Sequence, residues 1–64
     1  MTQYLVDLSD YELSLNFMKS DYSGKWWVEI PKEDEEPYLL PCSFMDYKIA
    51  CNNEMPKRIM KEFE

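Results

Sequence analysis

Two cysteines, a run of carboxylates and an adjacent pair of tryptophans are the residues of this chain that could do chemistry. Cys42 and Cys51 stand nine positions apart. Two thiolates cannot by themselves complete a tetrahedral zinc site. If the residues between them are helical, a rise of about 1.5 Å per residue separates the two by roughly 13 Å, beyond the ~7 Å limit for a disulfide. The expectation is therefore two free thiols, with Cys51 in the core; a bridge would mean that the segment is not a helix. Glu33-Asp34-Glu35-Glu36 is an unbroken row of acids. It could hold a hard cation only loosely, because such ions need oxygen ligands wrapped around them and the run has no loop glycine. Histidine is absent, which removes the imidazole base and the commonest metal ligand. No phosphate loop, dinucleotide fingerprint or EF-hand spacing is present. A serine nucleophile would need a base and an oxyanion hole, neither of which is legible, and 64 residues leave little room for a pocket. These residues imply no enzyme, no cofactor and no metal.

The tryptophans are a different matter, because of the strand that carries them. Tyr11, Leu13, Leu15 and Phe17 alternate with Glu12, Ser14 and Asn16, the period-2 pattern of a half-buried strand. Met18 breaks the alternation. Ser20-Asp21-Tyr22-Ser23-Gly24 supplies turn chemistry, closed by the only glycine of the chain. Lys25 to Ile30 then returns as a second strand, with Trp26, Val28 and Ile30 on one face and Trp27 and Glu29 on the other. The spacing predicts a central hairpin, 11–18 paired with 25–30, with Trp26 inward and Trp27 beside Met18 and Asn16 on the opposite face. An indole buries on the order of 200 Å² when covered, so Trp27 needs either the chain's own termini or a partner.

Around the hairpin, Gln3 to Leu8 is a β-prone run and Tyr38-Leu39-Leu40 a short extended segment. Pro41 supplies no ladder donor, which assigns that segment to an edge or ends it there. Pro31 and Pro37 bracket a charged, wholly polar loop, 31–37. Ser43 followed by Asp46 reads as an N-cap with an acid at the third helical position. Phe44, Tyr47 and Cys51 form one stripe of the helix it opens, with Met45 and Ile49 alongside, and Asn52-Asn53 suits its end. Pro56 fits the first turn of a second helix, on which Met55, Ile59 and Phe63 recur at i, i+4 and i+8, a stripe assigned to the core. The expected architecture is a single α+β domain, 1–64: an antiparallel sheet of about three strands around the hairpin, with one or two C-terminal helices, over 44–52 and 56–63, packed on one face as a helical hairpin or one kinked helix.

The net charge is −6, from 13 acids and 7 bases. Residues 1–36 hold nine acids against three bases, and residues 37–64 hold four of each. The whole excess thus lies in the hairpin half and the loop after it. An acidic surface argues against direct binding of nucleic acid or anionic membrane, and permits a basic protein as partner. The first residues carry no basic, apolar leader pattern and no stretch approaches the roughly 20 apolar residues of a membrane span, so the default expectation is a cytoplasmic protein.

Together these readings predict a non-catalytic, stoichiometric binder. In size, charge and lack of catalytic residues the chain is similar to nucleic-acid mimics among phage anti-restriction, anti-CRISPR and glycosylase-inhibitor proteins, although no motif ties it to one family. That likeness implies a small inhibitor docking on a basic, nucleic-acid-binding enzyme. Trp27 and Met18 are the candidate contacts; Glu12, Glu29, Glu33, Asp34, Glu35 and Glu36 are the candidate steering charges. Two other readings compete. One is a homodimeric assembly module, pairing through Trp27 and the edge of the hairpin or of 38–40. The other is an antitoxin-like subunit whose helix 56–63 lies in a groove of a larger protein.

Overall fold

The computed structural model describes residues 1–64. Four strands run in sequence order across one antiparallel sheet: β1 (Thr2–Leu8), β2 (Leu13–Lys19), β3 (Trp26–Ile30) and β4 (Tyr38–Cys42). Two short helices follow, α1 (Phe44–Cys51) and α2 (Lys57–Met60), and a 3-10 turn, Lys61–Phe63, ends the chain. The α+β class is as expected, but the sheet has four strands rather than about three. Both flanking segments, 2–8 and 38–42, pair fully with the hairpin. No helix is long and apolar enough to cross a membrane.

The first strand of the hairpin begins later than its alternation suggests. Tyr11 lies not in a strand but in a 3-10 turn, Ser9–Tyr11, and is 45% exposed. The reason is the closure of β1 onto β2: Leu8 pairs with Leu13, so the four residues between them must reverse the chain. The turn does so with Glu12 in the left-handed region at φ 53° and its N–H donating to the Ser9 carbonyl at 3.2 Å. Asn53, itself at φ 60°, ties the turn to the end of α1: the Asp10 N–H donates to Asn53 Oδ1, and Asn53 Nδ2 donates to Ser9 Oγ, both at 3.4 Å.

One face of the sheet holds the main core cluster. Val6, Leu8, Leu15, Phe17, Trp26, Val28 and Ile30 meet Ala50 of α1 and Ile59 of α2, with Tyr38, Leu40 and Cys42 half-buried at the β4 side. Tyr47 of α1 sits within 5.1–5.6 Å of the Tyr4, Phe17 and Trp26 rings, an aromatic cluster whose members contribute contact energy beyond their burial. Ser43 caps α1 as its spacing with Asp46 suggests: Ser43 Oγ accepts from the Asp46 N–H at 3.3 Å, and Asp46 Oδ2 accepts from the Ser43 N–H at 2.9 Å. Asp46 is almost wholly buried and also meets Arg58 of α2 at 3.4 Å.

The stripe on α1 is displaced from its expected position. Ala50 and Asp46, four residues apart, are the buried positions, while Phe44 is 52% exposed and Cys51 faces solvent. Cys51 is therefore not a core residue. Packing Tyr47 and Ala50 on the sheet turns its neighbour, about 100° further round the helix, outward. Both cysteines are free thiols, as expected, and Cys42 is half-buried.

Candidate functional site: the uncovered sheet face and its acidic end

Strand pairing sorts side chains between the two faces of the sheet. Opposite the core face lie Gln3, Leu5 and Asp7 of β1, Ser14, Asn16 and Met18 of β2, Trp27 and Glu29 of β3, and Leu39 and Pro41 of β4. Both helices contribute their buried residues to the other side. The C-terminal turn is held on that other side too, where the Tyr38 hydroxyl donates to the Glu62 carboxylate. The helices and the C-terminal turn thus pack on the core face, and Trp27 lies on the other.

Trp26 and Trp27 point in opposite directions, as the alternation predicts. Trp26 is 9% exposed and stacks on Tyr4 and Tyr47. Trp27 is half-buried and lies in a cross-strand row, Gln3–Met18–Trp27–Pro41. Met18 belongs to that row but keeps only 7% of its surface, so it supports the indole more than it offers contact area. The accessible apolar residues of the face are Leu39, 50% exposed, and Leu5, 75% exposed. Sequence reasoning assigned neither to a site. Leu39 was legible as the one residue of 38–40 out of phase with the core; Leu5 needed the β1–β2 register. At the end of the row a groove of about 550 Å³ is lined by Gly24, Lys25, Trp27, Pro41, Cys42 and Phe44, among others.

Within the strands the face carries no lysine or arginine, but Lys25, bonded to Ser20 at the end of the β2–β3 ladder, lines the groove beside Trp27. The charged strand residues of the face are Asp7 and Glu29, the latter half-buried between Asn16 and Leu39. Antiparallel topology then concentrates more negative charge at one end of the sheet. The β1–β2 turn and the β3–β4 loop emerge from the same end, bringing Asp10 and Glu12 to the side where Glu33, Asp34, Glu35 and Glu36 lie. All six are exposed. Lys32, held over the Tyr38 ring at 5.2 Å, is the base of that loop. Lys19 and Lys25 flank the β2–β3 turn at the opposite end. Trp27 is the second residue of β3, two positions from Lys25 and six from Glu33, so it lies toward the β2–β3 turn, with the acidic end roughly 20 Å further along the strand direction.

Three titratable groups feel this structure. A hydrogen bond with Cys51, followed by burial, raises the Tyr47 hydroxyl above its ordinary range. Burial, reinforced by the Asp46 carboxylate, pushes the Cys42 thiol up to about 11, with Arg58 opposing. The hydrogen bond from the Met1 amino group, followed by one from Thr2 Oγ1, holds the Asp21 carboxyl below its usual range. No group of three or more cysteine, aspartate or glutamate side chains is arranged to hold a metal ion. No protein-family model matches the chain, and no curated protein or solved structure matches it either.

Proposed function

We propose that this protein is a stoichiometric binder that docks the uncovered face of its sheet, with the adjoining acidic end, on a basic surface of a protein partner of the nucleic-acid-binding class. One observation carries the reading: the sheet face opposite the helices presents Trp27, Leu39 and Leu5 together with Asp7 and Glu29, and its strands hold no base. A half-buried indole in an apolar row is the side-chain type that anchors interfaces. Carboxylates ahead of it raise the encounter rate with a cationic groove. The exposed row from Glu33 to Glu36 offers such a groove the closely spaced negative charges that a phosphodiester strand would offer. In this role the protein is an inhibitor: occupancy of the groove and access of nucleic acid exclude one another.

The test is binding to a purified basic nucleic-acid enzyme, followed by titration calorimetry and stopped-flow association at several salt concentrations. Trp27→Ala is expected to weaken binding by about 2 kcal/mol, roughly thirty-fold, through faster dissociation. Replacing Glu33, Asp34, Glu35 and Glu36 by their amides is expected to slow association about ten-fold at low salt and much less at high salt. Unchanged association after the amide replacements would remove the electrostatic half of the reading. Unchanged affinity of Trp27→Ala would remove the contact half.

A further inference from the structure

The two edges of the sheet are built differently. Alternation along an antiparallel ladder decides which backbone groups point inward. The Ser20 N–H donates to the Lys25 carbonyl at 2.9 Å. Counting in steps of two from that bond, Met18 and Asn16 direct their backbone groups to Trp27 and Glu29. Phe17 and Leu15 therefore direct theirs to Tyr4 and Val6 of β1. This leaves the N–H and C=O of Gln3, Leu5 and Asp7 pointing away from the sheet. On β4 the same count turns Tyr38, Leu40 and Cys42 inward and Leu39 and Pro41 outward. Proline has no N–H, so the outer rim of β4 offers a single donor, from Leu39. Proline at such a position is a known guard against edge pairing. The outer rim of β1 offers three donors and three acceptors over a seven-residue strand without proline, lysine or arginine.

We infer that the β1 edge is a pairing site for a second copy of this chain, making a two-fold dimer with one continuous eight-stranded sheet. An antiparallel two-fold through Leu5 places Leu5 opposite its own copy and Gln3 opposite Asp7. The outward groups then meet in three bonded pairs, about six N–H···O bonds. Leu5, 75% exposed in one chain, packs on its symmetry mate. The Gln3 side-chain amide faces the carboxylate of Asp7, and Asp7 is kept away from its own copy. The direction also suits the charges. An antiparallel junction sets the acidic β1–β2 turn, with Asp10 and Glu12, beside the end of the other copy that carries Lys19. The assembly closes at two, because both outer edges of the joined sheet are then β4 with its Pro41. This inference does not rest on the function proposed above, and it doubles the uncovered face that the function would use.

The experiment is sedimentation equilibrium of the full chain from the millimolar to the micromolar range, beside Leu5→Lys and Leu39→Lys. The mass is expected to rise from 7.8 kDa toward twice that value with concentration. Leu5→Lys, which sets like charges opposite each other across the two-fold, should stay at one chain mass, and Leu39→Lys, on the guarded edge, should behave as the parent. Hydrogen exchange on the unaltered protein supplies a second readout that needs no variant: protection of the Gln3, Leu5 and Asp7 amides should grow with concentration while that of Leu39 does not. A single-chain mass at the highest concentration, dissociation by Leu39→Lys rather than Leu5→Lys, or protection at Leu39 in place of β1 each overturns the inference. Loss of binding to a basic partner leaves these masses unaffected, so the two proposals fail separately.

Discussion

At the scale of single residues, neighbours in the chain meet different environments, and the thiols make the contrast measurable. Cys51 is exposed and Cys42 half-buried beside Asp46. The thiolate is the reacting species, so a maleimide or disulfide reagent near neutral pH should label Cys51 first, with Cys42 following much more slowly until the protein unfolds. Cys42 also contributes a pH dependence. Its pKa in the fold lies above the ordinary value of 9.0, at about 11, so the fold favours the neutral thiol. That contribution is intact below pH 9 and is lost as the pH rises through 9 to 11. Denaturant titrations across this window should show stability falling less steeply in Cys42→Ala than in the parent. An equal fall in both would mean that other groups account for it. Glu12 supplies a further residue-scale feature: a glutamate in the left-handed region is strained where glycine is not.

Among the elements, the helices are held by one buried carboxylate. Asp46 accepts from the Ser43 N–H, completes the capping box of α1 and meets Arg58 on α2. It fastens the start of α1 and ties the second helix to the first. Removing the cap by Ser43→Ala is expected to cost about 1 kcal/mol. Asp46→Ala should cost more, about 2 kcal/mol, because it also leaves Arg58 without its carboxylate and the Ser43 N–H without its acceptor. Chemical denaturation of the two variants beside the parent checks the order; Ser43→Ala proving the costlier would contradict this role for Asp46. The sheet is held differently, by register. Leu8 opposite Leu13 and Phe17 opposite Val28 keep every apolar side chain of the core on one face, and a one-residue slip would expose the whole set.

For the molecule as a whole, smallness governs. The chain has a Cα radius of gyration of 11.2 Å and extents of 31 × 27 × 17 Å, and a domain of this size buries only about 60% of its unfolded surface. It has one core to lose. Pro56 is fully buried, Ile59 belongs to that core and Met55 packs against it, which speaks against a helix held free for a groove on another protein. Phe63, expected in the same core stripe, is instead 44% exposed, because the chain ends in a 3-10 turn that breaks the helical spacing. Truncation after Asn53 should therefore abolish cooperative thermal unfolding. A truncated chain that still melts cooperatively would return the C-terminal helix to the pool of candidate binding elements. The charges also act at this scale. Asp10, Glu12 and the row from Glu33 to Glu36 are far apart in sequence, yet the topology gathers them at one end, so their effect on a basic partner should depend on salt as a group rather than residue by residue.

Much of this is legible in the residues themselves. The alternation of Leu13, Leu15 and Phe17, the turn closed by Gly24, the opposed directions of Trp26 and Trp27, and the Ser43–Asp46 cap are local facts, because side-chain period and capping depend only on residues a few positions apart. Strand limits and helix rotation were not local. Tyr11 left its strand because Leu8 meets Leu13, and Cys51 turned outward because Tyr47 and Ala50 met the sheet. The amino-acid sequence by itself determined which residues could share a face, since that follows from backbone geometry. Only the tertiary structure decided which face was covered, which edge was left open and which carboxylates became neighbours, because those depend on pairings between segments that no short-range pattern encodes.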